Sequence, residues 1–264
     1  MDPHLEAIIS RVMHLVEQVF AFQPMTTIQE HVQMKSTESL RRSLFTVLYL
    51  LTKVRGYKAI VKQFPHELSQ LEPLYEIYMK IPSSEWETRY ILMLWLSLIV
   101  MNPFPFSAVD AQPDSDNSLT RRMMDVAIQA LSDPGKTRDG ASVFLSKLLT
   151  RHDLHHQLTM FLNWANESLS RSSDQLLQSG IFATLIDIFK SGRRDEMIQV
   201  VDSVVSFAVA DTSNVNNTLI RQLTVKLAQR IGLTYLKPRV VSWRYQKGRK
   251  SLLQNLKPAT AGDN

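Results

Sequence analysis

The sequence predicts an all-α protein, an irregular α-solenoid built from stacked helical hairpins. Gly and Pro are sparse in its 264 residues, with 8 and 11 copies, and apolar residues recur at three-and-four spacing between them. The helical stretches are roughly four turns long, are joined by short breaks, and several are apolar on two faces. Starts near Ser118, Asp153 and Asp195 match the period of roughly 40 residues of HEAT and armadillo repeats. A closed globular helical bundle is the alternative architecture.

Residues 1–101 are predicted to form N-terminal helical hairpins. Asp2-Pro3 places an N-cap residue before a proline at the first helical position, and a continuous apolar face follows. The first helix is therefore predicted to run to about Phe20. The other helices predicted in this block cover residues 38–56, 64–80 and 86–101, the second being a single helix entered after Pro65.

Residues 102–117 are polar and proline-rich, which predicts a long loop or linker between two helical blocks. Residues 118–264 are predicted to continue the same solenoid as HEAT-like helical repeats with a basic C-terminal segment. No stretch shows the clean alternation expected of a strand. The helices predicted here cover residues 119–132, 137–151, 153–169, 173–190, 195–210, 217–232 and 237–256.

Several classes of protein are excluded by composition. The longest apolar run, Tyr90 to Met101, has 12 residues, whereas a membrane-spanning helix needs about 20; a buried helix is predicted instead. The absence of cysteine rules out disulfides, thiolate nucleophiles and cysteine zinc sites. The N-terminus lacks the basic start and apolar stretch of a secretory signal, so we expect a cytoplasmic protein.

No motif in the sequence indicates catalysis or a bound cofactor. The eight glycines are isolated from one another, so neither a dinucleotide-binding nor a phosphate-binding glycine loop is present. No serine lies in a nucleophile elbow. His152 with His155 or His156 has a spacing that can hold a metal, but a third ligand is missing and exposed histidines at a helix start are the favoured interpretation. We therefore expect no catalytic residue, no cofactor and no metal.

Charge is distributed unevenly along the chain. Its net charge of +5 combines ten Lys or Arg and no Asp or Glu between Thr212 and Gly262 with a mildly acidic remainder. A surface of one sign raises the local concentration of oppositely charged partners. The tail is therefore the candidate for binding an acidic partner.

The candidate binding residues lie in the segment WRYQKGRKSLLQNL, residues 243–256. Aromatic and basic side chains together are typical of single-stranded nucleic-acid sites. Alternatively, a helix could dock its leucines into the solenoid and present its basic side to an acidic protein. An ordinary solvated helix surface is the third interpretation. The candidate partner-binding residues are Trp243, Arg244, Tyr245, Lys247, Arg249 and Lys250.

Several blocks of sequence resemble the tubulin-folding cofactor D family. The blocks follow the order of the family and spread over most of the chain, although the family's proteins are several times longer. The combination of VRGYK, WETRY and WRYQ is specific, whereas each alone is not. The blocks are LTKVRGYKAIVKQFPHE (51–67), WETRYILMLWLS (86–97), PFPFS (103–107), GKTRDGASVFLSKLLTR (135–151) and KLAQRIGLTYLKP (226–238) leading to WRYQKGRKSLLQNL (243–256).

The resemblance implies a helical-repeat chaperone with no enzymatic activity of its own. Such a protein receives β-tubulin after the chaperonin and, with cofactors E and C, assembles the α/β-tubulin heterodimer. It also implies binding of an Arf-like small GTPase, participation in the complex that stimulates GTP hydrolysis by tubulin, and a cytoplasmic, cytoskeleton-associated location. A nucleic-acid-binding or adaptor solenoid acting through the basic tail is the alternative, with nucleic acid the less favoured partner.

Overall fold

The computed structural model describes residues 4–21, 30–106, 118–209 and 217–236. These residues are predominantly helical and contain no strand, and the predicted all-α solenoid is confirmed. The helices are α1 (Leu5–Ala21), α2 (Glu30–Arg55), α3 (Tyr57–Val61), α4 (Leu71–Lys80), α5 (Trp86–Ile99), α6 (Leu119–Ala130), α7 (Lys136–Leu149), α8 (His155–Arg171), α9 (Gln175–Ser191), α10 (Arg194–Val200), α11 (Val205–Val209) and α12 (Thr218–Tyr235).

The helices form two layers. In layer 1, each helix packs against the next in the order α2, α5, α7, α9, α12, with α3 against α2 and α5. Layer 2 contains α1, α4, α6, α8, α10 and α11, which pack mainly on their neighbours in layer 1. This alternation is the arrangement of a helical-repeat solenoid, in which each unit buries its apolar face against adjacent units.

Two glycines in helices of layer 1 allow close approach of neighbouring parts of the chain. A Cβ atom added to Gly140 of α7 would lie 3.1 Å from the ring of Tyr90 in α5, and one added to Gly180 of α9 would lie 2.7 Å from the carbonyl oxygen of Leu131. The hydroxyl of Ser142 in α7 donates to the carbonyl oxygen of Gly180 at 3.3 Å. The N-terminal halves of α7 and α9 are therefore in contact.

Polar caps define where several helices begin. The hydroxyl of Ser118 accepts a hydrogen bond from the backbone N–H of Arg121 at the start of α6. Asp174 caps α9 and Asn217 caps α12 in the same way. These side chains satisfy backbone N–H groups that lack a partner within the helix.

Three of the predicted helices are wrong in detail. The helix predicted over residues 38–56 is α2, which begins at Glu30. Residues 64–80 do not form one helix, because a 3₁₀ turn at Leu68–Gln70 precedes α4. Residues 195–210 do not form one helix either, since a 3₁₀ turn at Val201–Ser203 separates α10 from α11. This region is rich in valine and carries Asp202 and Ser203 at the break. The β-branched valines disfavour a helix, and the short polar side chains compete for backbone hydrogen bonds.

The short helix α3 was not predicted from the sequence. It follows directly on Gly56, whose φ of 81° lies in the left-handed region that glycine tolerates. The chain therefore turns at this glycine and resumes a helix, instead of ending there. Ile60 and Val61 of α3 are buried in the core.

The predicted division of the chain remains a prediction. Of the predicted linker, the structure describes residues 102–106, and residues 107–117 and 237–264 lie outside the described ranges. Within the described ranges, no helix has both the length and the hydropathy needed to cross a bilayer.

Candidate interaction surface

The tail residues proposed as a binding site cannot be placed. Trp243, Arg244, Tyr245, Lys247, Arg249 and Lys250 all lie outside the described residues. Their role stays a prediction.

The turn that follows α5 is held by a buried arginine. All five guanidinium N–H groups of Arg151 are used as donors: two bond to Asp153 at 2.9 Å, and three bond to backbone carbonyl oxygens. The Arg151 guanidinium also stacks 4.6 Å from the ring centroid of Phe106, whose N–H donates to Asp153 at 2.8 Å. The three carbonyl oxygens belong to Val100, Asn102 and Phe104, each at 2.7 Å.

Hydrogen bonding sets the charge state of Asp153. Burial alone would raise the pKa of its carboxyl, but the hydrogen bonds from Arg151 and the Phe106 N–H outweigh burial and hold the pKa below the usual value. An ionised Asp153 therefore compensates the buried Arg151 charge. This pair fixes the first residues of the predicted linker to the loop after α7.

A second buried carboxylate ties α2 to the start of α5. Glu85 is 6% exposed and accepts two hydrogen bonds from Arg41, at 3.0 and 3.1 Å, and one from Arg42 at 3.2 Å. The hydroxyl of Thr88 donates to it at 3.4 Å. Both ion-pair networks are internal supports that fix the relative position of neighbouring helices.

The charges of four cations act on one carboxylate of layer 1. Asp187 of α9 experiences the charges of Lys190 in the same helix and of cations from three other helices. The Nζ of Lys190 lies 3.9 Å from an Asp187 oxygen. In the part of the chain that the structure describes, the other three form no ion pair of their own. These three are Lys58 of α3, Lys147 of α7 and Arg230 of α12, and with Asp187 and Lys190 they are called the Asp187 cluster.

The cluster carries excess positive charge. Four cations and one carboxylate leave a net charge of +3. Lys147 and Lys190 lie in the last turns of α7 and α9, where cations are also favoured by the helix dipole, but a helix end carries only about −0.5 charge. Two such ends do not cancel the cations.

Burial affects the acidic groups of this region. It raises the pKa of Asp187 above the usual value even though the four cations act to lower it. Burial also raises the pKa of Tyr57, with the Asp187 charge adding to the effect. Asp187 and Tyr57 therefore lie in a partly desolvated region, in which electrostatic interactions with a partner are screened less than at an open surface.

Apolar side chains are exposed along one face of α2. Leu40, Val47, Leu50 and Val54 are 48, 42, 50 and 78% exposed, and their spacing places them on one side of the helix. A groove of about 530 Å³ lies elsewhere, between residues 66–68 and the end of α5, where Met101 and Phe104 are exposed. Nothing in the described residues identifies what covers either surface.

The described residues show no constellation for metal chemistry. No group of three or more potential ligands among His, Asp and Glu was found in the described ranges. His152, His155 and His156 are exposed, and the neighbouring carboxylate, Asp153, is engaged by Arg151.

Sequence reasoning missed both Arg151 and the Asp187 cluster. Arg151 ends the block GKTRDGASVFLSKLLTR, but only the fold shows that its side chain reaches the turn after α5. The cluster draws its cations from residues between 58 and 230, and no local pattern connects positions so far apart. A basic residue near the C-terminal end of several successive helices was the one available signal.

Comparisons with known proteins agree with the two-layer helical architecture. Residues 1–169 match the family model described as tubulin-specific chaperone D-like, ARM repeat. The chain belongs to the tubulin-specific chaperone D-like family. Residues 219–264, which include most of α12 and the basic tail, match a second model described as tubulin-specific chaperone D-like, ARM repeats. The suspected family is thus confirmed.

Two relatives show how much of a family member this chain represents. It is 27% identical to the tubulin-specific chaperone D of Dictyostelium discoideum over 80% of this chain and 21% of that protein. It is 28% identical to the tubulin-folding cofactor D of Schizosaccharomyces pombe over 74% of this chain and 17% of that protein. The chain spans about a fifth of the length of these curated relatives. No solved structure gives a significant match.

Proposed function

We propose that this chain acts in tubulin folding as a scaffold that binds β-tubulin after its release from the chaperonin. In this role it supports assembly of the α/β-tubulin heterodimer together with cofactors E and C. The observation that carries the proposal is the match of residues 1–169 to the tubulin-specific chaperone D-like family. Relatives named tubulin-specific chaperone D and tubulin-folding cofactor D support the same role.

The described surface is compatible with a protein-binding scaffold. Helical-repeat arrays present extended surfaces on rigid helices, and proteins use such surfaces to bind other proteins. The Asp187 cluster and the basic tail would attract an acidic partner such as tubulin. We propose no catalytic role for the chain itself, and we propose that it works in the cytoplasm beside the cytoskeleton.

Binding to tubulin is the decisive experiment. The full chain, immobilised through an N-terminal tag, is expected to retain purified β-tubulin, and to retain more when cofactor E is added. Failure to retain tubulin with or without cofactor E would overturn the proposal. Binding of cofactor C and of an Arf-like small GTPase is tested in the same format, and stimulation of tubulin GTP hydrolysis is tested by adding the chain to the cofactors.

The tail has its own test. A tail variant removes four of the ten positive charges, with Arg244→Gln, Lys247→Gln, Arg249→Gln and Lys250→Gln. If the tail charges steer association, this variant should fold normally yet bind tubulin with a slower on-rate, most clearly at low salt, because exposed charges act mainly on association. An unchanged on-rate across a salt series would assign the tail to ordinary helix surface.

The alternative function is nucleic-acid binding through the same tail. The observation that favours it is the absence of Asp and Glu between Thr212 and Gly262, beside Trp243 and Tyr245. Gel retardation with single-stranded RNA at about 0.15 M salt separates the two functions, since phosphate contacts weaken steeply with salt. Retention of RNA at that salt without retention of tubulin would favour the alternative.

A further inference from the structure

α12, the last described helix of layer 1, is buried along one side. Its buried residues are spaced alternately four and three positions apart, whereas α9, which packs between α7 and α12, carries runs of consecutive buried residues. The buried residues of α12 are Ile220, Thr224, Leu227, Ile231 and Thr234. Apolar side chains are also exposed on this helix, with Leu219 and Leu233 each 46% and Val225 66% exposed. The exposed side therefore has apolar groups to offer a further segment of chain.

The exposed side of α12 contains one continuous stripe. Residues three or four positions apart share a face of a helix. Five exposed residues follow this spacing and are called the α12 stripe: Leu219, Gln222, Lys226, Gln229 and Leu233. The stripe is apolar at its two ends and polar in the middle. A segment that covers it needs apolar side chains at both ends, about 21 Å apart.

The sequence that follows α12 can supply such a segment. α12 ends at Tyr235, and the backbone of Leu236 is extended, with ψ of 122°, so the chain departs from the helix there. Pro238 suits the first turn of a new helix, and the helix predicted from it to residue 256 is called the tail helix. At spacings of three and four, one face of the tail helix carries Val241, Tyr245, Gly248, Leu252 and Leu256. The apolar ends of this face lie about 22 Å apart, which matches the α12 stripe.

The two stripes come into register when the chain turns back on itself. A turn at residues 236–238, within the range of about two to five residues usual between antiparallel helices, places Val241 beside Leu233. The same register places Leu256 beside Leu219 at the other end. Both apolar ends of the α12 stripe are then covered at once.

The polar middle of the α12 stripe also fits this register. Lys226 falls opposite Gly248, and a glycine leaves room for the long lysine side chain. The methylene groups of the lysine cover apolar surface while its ammonium group reaches water. Gln222 falls opposite Leu252. The lysine charge therefore stays solvated when the stripe is covered.

The tail helix is favoured over other occupants of the stripe by its attachment. A short turn holds it beside α12 at an effective concentration on the order of millimolar, which a second copy of the chain or a separate partner must exceed. A lone helix of this length is marginal in water and needs a packing partner. Most of α12 and the whole tail helix also fall within residues 219–264, which match a single family model of ARM repeats. They therefore belong to one stretch of repeats.

We propose that the tail helix, residues 238–256, docks antiparallel on the α12 stripe and adds a further helix to the stack. Leu252 and Leu256 cover the N-terminal half of α12, and Val241 covers its C-terminal end. Lys247 and Lys250 lie on the opposite face of the tail helix and stay accessible to a partner. The inference is independent of the tubulin role, because both of its tests use the chain alone.

Disulfide formation between engineered cysteines tests the register. The chain contains no cysteine, so Leu219→Cys with Leu256→Cys allows one intrachain bond. The matched control combines Leu219→Cys with Gln254→Cys, which lies on the opposite face of the tail helix. Two cysteines can be bridged only when their Cα atoms lie within about 7 Å. Under mild oxidation of dilute protein, the first pair is expected to form the intrachain bond at least about tenfold faster than the control, as measured by mass spectrometry and non-reducing electrophoresis.

Two outcomes of the oxidation experiment would overturn the proposal. Equal rates for the two pairs would show that the tail has no preferred face toward α12, since an undocked tail brings both positions to Leu219 equally often. Disulfide-linked dimers in place of the intrachain bond would assign the α12 stripe to a second copy of the chain.

Hydrogen exchange of the tail amides gives an independent measurement. The amides of residues 241–256 are expected to be protected in the wild-type chain, because an undocked helix of this length is marginal in water. Leu219→Asp combined with Leu233→Asp should raise their exchange rates at least about tenfold. The control is Met79→Asp, at a position of α4 that is 52% exposed, and it should leave the tail amides protected. Unchanged protection of the α9 amides checks that every variant is folded.

The exchange experiment also has a contrary result. Tail amides that exchange in the wild-type chain at the rate of an unstructured peptide would overturn the docking. Tail protection that survives both aspartates on α12 would overturn it as well, because the tail would then be packed against a different surface.

Discussion

Arg151 and Asp153 form a two-pronged ion pair, in which Nε and one terminal nitrogen of the guanidinium each lie 2.9 Å from a different carboxylate oxygen. The remaining three N–H groups of Arg151 bond to the turn after α5. A planar, five-donor group is needed to make these contacts at once. The pair therefore joins two loops that are almost fifty residues apart, as the contact of Arg151 with Asn102 shows.

Replacing Arg151 by Lys should lower the free energy of unfolding by about 3 kcal/mol, because a lysine cannot replace five directed hydrogen bonds and a buried pair is left incomplete. Urea unfolding followed by circular dichroism measures the loss. The control is Arg171→Lys, whose side chain is 79% exposed and whose change should stay within about 0.5 kcal/mol. Losses of equal size in the two variants would contradict the assigned role of Arg151.

The pKa of Asp153 predicts how its contribution depends on pH. Because the folded-state pKa is lowered, the carboxylate stabilises the protein above its unfolded pKa of about 3.9, and this contribution is lost as pH falls through the folded value. Asp153→Asn should therefore destabilise the protein at pH 7, and the difference from wild type should shrink in acid. Urea unfolding of both proteins across acidic pH measures it.

Asp187 should show the opposite dependence. Its folded-state pKa is raised, so ionisation opposes folding above the folded pKa and has no effect below the unfolded pKa. Asp187→Asn should leave stability equal or higher at pH 7, and any gain should disappear as the solution is acidified. A variant that is less stable at neutral pH would show that the ion pair with Lys190 outweighs burial.

Glu85→Gln should destabilise the protein by about 1 to 3 kcal/mol, because Arg41 would keep a buried charge without its carboxylate. The side chain of Arg41 is 19% exposed, so water compensates only in part. Thermal unfolding is the measurement. Glu167→Gln is the control: that carboxylate is 65% exposed and pairs with Arg171 at 3.5 Å, a kind of pair that contributes about 0.3 to 0.5 kcal/mol. Equal Tm values for Glu85→Gln and Glu167→Gln would contradict the role assigned to Glu85.

The fold was predictable because long amphipathic helices leave a strong periodic signal. The end of the first helix near Phe20 and the helix from Trp86 were predicted close to the observed bounds, whereas the predicted cap at Asp2-Pro3 lies outside the described residues. The five-residue helix α3 was missed, since it is too short to show a period and Gly56 is also a normal helix terminator. The break at Val201–Ser203 was missed because the buried residues Met197, Val201 and Val204 continue the helical apolar spacing through it.

The interaction surface was far less predictable than the fold. Periodicity shows which face of one helix is buried, but it does not show how one helix is placed relative to another. The charges of Lys58 and Arg230 act on the same carboxylate only because helices far apart in sequence are packed together in layer 1. Interaction residues in a solenoid of dissimilar units therefore require the packing geometry.

The close approach of α9 to the end of α6 predicts opposite effects of alanine at two glycines. Gly180 is buried, and an added Cβ would lie 2.7 Å from the Leu131 carbonyl oxygen and 3.0 Å from the Leu131 Cβ. The first of these is a backbone atom that cannot rotate away, so α9 must shift. Gly180→Ala should cost about 1 to 3 kcal/mol. Gly232 of α12 has no atom within 4 Å of an added Cβ, and Gly232→Ala should stabilise by up to about 1 kcal/mol because alanine favours helix.

Differential scanning calorimetry of the two alanine variants measures these effects together. For a chain of this size, about 1 kcal/mol corresponds to a shift of roughly 2 to 4 °C in Tm, so the variants should melt on opposite sides of wild type. Each variant controls for the other, because both place the same methyl group in a helix of layer 1. A Gly180→Ala protein at least as stable as wild type would contradict the close approach of α9 to Leu131 at the end of α6.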